Sequence, residues 1–294
     1  MKLTLQEAKQ IMKANNGNLD FKYHTEITEL PEELTVGGCL NIRGTKIKEL
    51  PERLVVGGYL DISGTKIKEL PEELTVGGTF FMNHTKVKEL PEGLIVGGSL
   101  DICYTGITEL PEGMTIGGGL YMHYTGITKQ PDDLAVGQTI FQNGKHFRSS
   151  KTLQQGDYVP GRYLYADGIL THISKKKSYK GYDIYVGKIK GQNVVSDGTY
   201  YAHCDKVRDG IADLRFKRIK DRGAEQYSGL TLDSELTPDE AITMYRVITG
   251  ACRQGTQAFV DSLGKLEEFY SIREIIALTE GRCGASQFKR FFEQ

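Results

Sequence analysis

Apolar residues recur along the first half of the chain with a period of twenty. One unit places them at Ile27, Leu30, Leu34, Val36, Leu40 and Ile42, and the next at Ile47, Leu50, Leu54, Val56, Leu60 and Ile62. The segment ELPEELTVGG begins at Glu29, and its counterparts begin at Glu49, Glu69, Glu89, Glu109 and Lys129 without insertion. The Leu40-x-Ile42 alternation predicts a short strand with two inward side chains. Gly37-Gly38 just before it predicts a tight turn using the positive φ that glycine tolerates. Pro31 blocks a helix and suits an extended path on the opposite side, where twenty residues leave no room for a full helix. Roughly six apolar side chains per coil, at ~1.5–3 kcal/mol each, cannot offset the ordering entropy of one coil. Stacked coils sharing a continuous core can, which is the logic of a solenoid.

Ahead of the repeats, Leu3, Leu5, Ala8, Ile11 and Met12 form a helical stripe ending near Asn15-Asn16-Gly17. Residues 1–24 therefore read as a helical cap for the first coil. The pattern L-x-L-x-x-T-x-I-x-x-L-P, from Thr25 to about Gly144, resembles a leucine-rich repeat of the short bacterial type. Thr45 and its equivalents stand where that family usually has Asn or Cys. A hydroxyl can make the same turn bond with one partner fewer. The resemblance implies a solenoid over 25–145 whose strands present their non-core residues on one concave sheet.

Those outward positions carry the candidate binding chemistry. The column Gly44, Gly64, His84, Tyr104, Tyr124, Gly144 replaces glycine with aromatic rings in the middle repeats. Phe81, Tyr121 and His123 stand beside them. Aromatic side chains on a rigid surface are typical interface anchors, although strand propensity alone also places aromatics on sheets. Phe81, His84, Tyr104, Tyr121, His123 and Tyr124 are thus the expected partner contacts, with Asp61, Asp101 and Arg43 setting orientation.

The register stops after Phe141, and residues 146–160 read as a polar connector. Alternating segments then follow at Tyr163–Tyr165, Ile169–Ile173, Tyr182–Val186 and Asn193–Val195, punctuated by Asp167-Gly168, Gly191-Gln192 and Asp197-Gly198. They predict three to five antiparallel strands. A helix is expected over Lys206–Ile219 with Asp205 as its N-cap. Thr237-Pro238-Asp239-Glu240 and Ser271-Ile272-Arg273-Glu274 are capping boxes that open two more helices. A last short helix carries Phe288, Phe291 and Phe292. The expected class is α+β: cap, solenoid, and a small sheet-plus-helices domain over 161–294.

Composition sharpens this picture in three places. The chain of 294 residues holds 35 glycines, against about 20 at average usage of ~7%; the repeat accounts for most of the excess. The formal charge of −1 is a cancellation. Residues 1–145 carry 14 Lys and Arg against 19 Asp and Glu, whereas residues 146–294 carry 23 against 19. No run approaches a membrane span, and the polar N-terminus does not read as a signal peptide; the expected location is the cytoplasm. Five cysteines without a C-x-x-C pair exclude a disulfide scaffold or a zinc knuckle. No metal or cofactor motif occurs.

The basic excess raises nucleic-acid binding as an alternative. Lys175, Lys176, Lys177 and Lys180, with Lys188 and Lys190, lie on or beside a predicted hairpin with Tyr179, Tyr182 and Tyr185 interleaved. Lysines could hold phosphates while tyrosines stack on bases; equally, such lysines protect a sheet edge. A cysteine-dependent enzyme using Cys204 or Cys252 is a second alternative. Residues His203 and Cys204 are adjacent on a strand, however, and so point to opposite faces. The stretch Thr249–Thr256 lacks the order of a phosphate loop and reads as a helix–glycine–helix corner.

A wider resemblance covers both halves. Asp167-Gly168-Ile169-Leu170, Asp197-Gly198-x-x-Tyr201-Ala202-His203 and Tyr245–Cys252 look like an uncharacterised domain that follows L-P-x-x-L-x-V-G-G-x-L repeats in proteins of bacteriophages and prophages. That likeness implies no catalytic residues. It implies an inhibitor or modulator of a host bacterial protein, such as a defence system, acting by non-catalytic protein–protein recognition.

Overall fold

The computed structural model describes residues 2–189, 191–251, 253–282 and 284–293. Lys190 and Cys252 therefore lie outside the described residues. The chain divides into two compact units, Met1–Val195 with His203–Val207, and Ser196–Ala202 with Arg208–Gln294.

The first unit opens with helix α1 (Leu5–Ala14), started by a capping box between Thr4 and Glu7. Six coils follow at the twenty-residue spacing, and each contributes two short strands rather than the single one expected. One row runs Leu40–Asn41, Leu60–Asp61, Phe80–Phe81, Leu100–Asp101, Leu120–Tyr121 and Ile140–Gln142, all parallel. Leu19–Asp20 joins it at one end, and antiparallel Lys145–Phe147 closes the other. The second row comprises Thr35–Val36 and its equivalents through Ala135–Val136. Between the rows, the apolar columns form one continuous core from Leu3 to Ile140. The threonine column behaves as expected of a hydroxyl. Thr45, Thr65, Thr85 and Thr105 are buried, and each donates within its own coil, for example Thr85 Oγ1 to the Met82 carbonyl at 2.8 Å.

The glycine pairs do not work as the sequence suggested. Gly37 and Gly38 are not in the left-handed region; positive φ falls instead at Gly44, Gly64, His84, Tyr104 and Tyr124. What the pairs provide is close approach. A Cβ at Gly97 would lie 2.0 Å from the Gly77 carbonyl oxygen, and one at Gly117 would lie 2.1 Å from that of Gly97. Adjacent coils there hydrogen-bond backbone to backbone, as from the Gly58 amide to the Gly38 carbonyl at 2.7 Å.

The same unit extends beyond the repeat register into an antiparallel sheet. Its strands follow the order Asp157–Val159, Tyr163–Ala166, Ile169–Tyr179, Tyr182–Gly187, Asn193–Ser196 and Tyr201–Cys204. The segment 146–160 is thus more than a connector, since it contributes parts of two strands. Asp167-Gly168 forms a hairpin turn with both residues at positive φ, the geometry of a type I′ turn. The sheet packs on the solenoid through Ile95, Ala135, Leu153, Tyr163 and Leu170. Polar anchors reinforce it: Arg162 donates to the carbonyls of Gly93 (2.7 Å) and Gly113 (3.2 Å). Gln192 reaches the Gly57 carbonyl. Glycine again permits the approach, because a Cβ at Gly77 would meet Ile189 at 2.7 Å.

The second unit is mainly helical. Its helices are α2 (Val207–Asp221), α3 (Pro238–Thr249), α4 (Arg253–Ser262), α5 (Ile272–Leu278) and α6 (Ala285–Phe292). Thr237 and Ser271 form the two expected capping boxes with Glu240 and Glu274. Gly250 ends α3 in the left-handed conformation, confirming the helix–glycine–helix corner. The core gathers Met244, Tyr245, Ile248, Ile272, Ile275 and Phe288. No helix among the described residues is long and apolar enough to cross a membrane.

Candidate functional site

The outward aromatic residues assemble into stacks because the coil spacing matches the stacking distance of rings. Parallel strands lie ~4.7–4.9 Å apart, so identical columns bring planar side chains into register. His84 and Tyr104 stack at 4.6 Å with planes 12° apart, and Tyr104 and Tyr124 stack at 4.5 Å and 21°. A second stack joins Tyr121 and Phe141 at 4.8 Å and 2°, with His146 edge-on to Phe141. Phe81 meets Tyr59 edge-on. All these rings belong to the first strand row or to the residues flanking its strands. Tyr124 keeps 66% of its surface exposed and Tyr104 49%. Desolvation in the stack and the neighbouring Tyr124 phenol raise the Tyr104 pKa above the usual tyrosine range, so the ring is neutral across the physiological window.

His84, Tyr104 and Tyr124 occupy the left-handed region, with φ of 57°, 57° and 55°. A side chain there costs about 1–2 kcal/mol relative to a right-handed residue. Two stacked contacts return about 0.5–1.5 kcal/mol each. Three such placements therefore cost more than the stacking recovers, while Gly44 and Gly64 meet the same backbone requirement without strain.

The neighbouring column is a structural ladder. Cys103 Sγ accepts the His123 amide, and His123 Nδ1 accepts the Asn143 amide at 2.7 Å. Asn143 Oδ1 accepts the Tyr124 amide at 2.9 Å. His123 is half-buried in this chain of bonds, whereas His84 stands in the open stack. Asp61 and Asp101 each accept the amide two residues on, from Ser63 at 2.8 Å and Cys103 at 3.0 Å, the bond of an Asx turn. One carboxylate oxygen of each therefore shapes the strand end. Arg43 is exposed just past the end of the first coil's strand. Tyr59, Phe141 and His146 complete the surface but were not among the expected contacts. Phe141 shares the Tyr121 column, a signal visible in the repeat alignment; His146 lies past the register and has none.

The other candidate groups are dispersed. Lys176 pairs with Asp183 at 2.8 Å and lies 5.2 Å from the Tyr185 ring. Its neighbours Lys175 and Lys177 point to the opposite face of the strand. Lys180 sits at the hairpin tip over Tyr179. In the basic helix α2, Arg218 pairs with Asp197 at 2.6 Å and Lys217 donates to the Tyr201 carbonyl. His172, available in principle to a cysteine enzyme, is buried with Nε2 3.0 Å from the Val76 carbonyl. Burial drives its pKa down to about 4. Burial and the nearby Asp101 carboxylate push the Cys103 thiol up to about 12, which keeps it from acting as a thiolate. Among the described residues, no group of three or more His, Cys, Asp or Glu side chains is placed to hold a metal ion.

No protein-family model, curated protein or solved structure matches this chain.

Proposed function

We propose that this chain is a non-catalytic recognition protein of the leucine-rich-repeat kind, holding a protein partner against the aromatic face of its solenoid. The observation that carries the reading is the stack His84–Tyr104–Tyr124. It keeps large rings exposed at backbone positions where glycine would be unstrained, which folding does not require. A preformed face loses little entropy on binding, so a few anchors can supply most of the affinity. Phe81 and Tyr121 flank the stack, Arg43 and the carboxylates of Asp61 and Asp101 orient the partner, and inhibition or modulation follows sterically. The resemblance to phage-encoded repeat proteins supports a bacterial host protein, such as a component of a defence system, as the partner. On this reading the protein acts in the bacterial cytoplasm.

The test is a pull-down from bacterial lysate with wild-type protein and the variant Phe81→Ala/Tyr104→Ala/Tyr121→Ala. Thermal melting checks that the variant folds. Proteins retained by the wild type should be lost from the variant. Equal capture by both folded proteins refutes the reading.

A further inference from the structure

The second unit contains a cavity of about 430 Å³. Helices α3, α4 and α5 and the segment after α4 form its walls, through Ile242, Phe259, Leu263, Leu266, Ile275 and Leu278. Its size falls in the ~300–1,000 Å³ range of small-molecule pockets. Among the described residues that line it, Arg282 is the only charged one. Its guanidinium lies 5.1 Å from the Phe259 ring, a cation–π contact that holds the charge beside the apolar wall. The Ser262 and Thr279 hydroxyls that also line the cavity already donate to backbone carbonyls of Phe259 and Ile275. Beside the hydroxyls of Tyr245, Thr256 and Tyr270, which also line the cavity, Arg282 supplies, among the described residues, the one full charge able to orient a ligand.

Helix α4 makes the case that the cavity awaits an occupant. Phe259 and Val260 on α4, and Leu263 just after it, are only half-buried, and Leu278 across the cavity is 40% exposed. An amphipathic helix normally lays its apolar side on a core. Here that side borders the cavity instead, so an apolar ligand would supply the missing contacts.

We propose that this cavity binds a single-chain amphipathic carboxylate, its hydrocarbon chain between α3, α4 and α5 and its carboxylate on Arg282. The complementarity is of shape and of charge: an apolar cleft takes the chain, and the exposed Arg282 cation at its edge takes an anionic head. Each methylene that enters should tighten binding about fourfold.

The test is calorimetric titration of the full chain at neutral pH with hexanoate, octanoate and decanoate, and with decanol and decylammonium as head-group controls. Decanoate should bind at one site, at least tenfold tighter than decanol, with decylammonium weakest. Arg282→Gln should bring decanoate down to the level of decanol. Ala258→Trp, at an exposed position on the cavity wall, should weaken every ligand, with thermal melting as the check on folding. Equal affinity for decanoate and decylammonium would overturn the proposal. So would no saturable binding, an affinity flat from hexanoate to decanoate (the signature of a partner's side chain in a shallow groove), or decanoate binding unaffected by Ala258→Trp. The triple aromatic variant of the solenoid should bind decanoate as the wild type does, so this site and the recognition face succeed or fail separately.

Discussion

His172 offers a sharp quantitative test of how the antiparallel sheet is held on the solenoid. Its ring is buried, and Nε2 donates to the Val76 carbonyl, which also accepts the Gly97 amide. Desolvation disfavours the imidazolium, the hydrogen bond to Val76 partly opposes that effect, and Lys188 adds repulsion; the result is a pKa of about 4 against the ordinary 6.5. A histidine that stays neutral when folded but protonates when unfolded destabilises the fold as pH falls. The loss begins below about pH 6.5 and stops growing below about pH 4. At pH 4.5 the linkage amounts to about 2.5 kcal/mol, rising to about 3.4 kcal/mol at the acid limit, from 1.36 kcal/mol per pKa unit. The perturbation is His172→Gln, whose amide can still donate to Val76 but does not titrate. Urea denaturation of both proteins at pH 7.5 and pH 4.5 supplies the measurement. The difference between the two pH values should be smaller in the variant by about 2.5 kcal/mol, which removes the contribution of the carboxylates common to both. Equal pH dependence of wild type and variant, or a His172 ring titrating near 6.5 by NMR, would falsify this account.

Three further outcomes follow from the packing. Gly97→Ala places a methyl 2.0 Å from the Gly77 carbonyl oxygen, whereas Gly37→Ala meets nothing within 4 Å; the first should cost about 1–3 kcal/mol or more, the second under about 1 kcal/mol, as read from denaturation midpoints. Thr85→Val removes the donor to the Met82 carbonyl in the core and should destabilise by about 1–3 kcal/mol. Cys103 should resist iodoacetamide at pH 8 in the native protein and react after unfolding, since its thiol titrates near 12; rapid native labelling would contradict the burial.

Much of this architecture is legible in one strand of sequence because the responsible interactions are local or periodic. The apolar columns define the solenoid core, since a period of twenty brings each residue over its own equivalent. The Thr237 and Ser271 capping boxes mark helix starts through bonds spanning three residues, and Gly250 marks a stop. The candidate face was legible too, because His84, Tyr104 and Tyr124 interrupt a glycine column.

Other features depend on segments far apart in the chain. The stretch of Val76 to Gly78 reads locally as strand and turn, yet its glycines are required by the carbonyl oxygens of Gly57 and Gly58 one coil away and, at Gly77, by Ile189. Arg162 and His172 look like ordinary basic residues of a polar half. Folding carries them to carbonyls of Gly93, Gly113 and Val76, and so builds one compact unit that runs past the repeat register to Val195. His123, Asp61 and Asp101 look like free surface groups, but each spends hydrogen-bonding capacity on the backbone that shapes the face. The physical reason is common to all of them. Side-chain type and spacing specify which surfaces are apolar and where helices begin. The partner of a polar group is chosen by backbone carbonyls and amides, which every residue carries alike, so folding alone brings a particular one within reach.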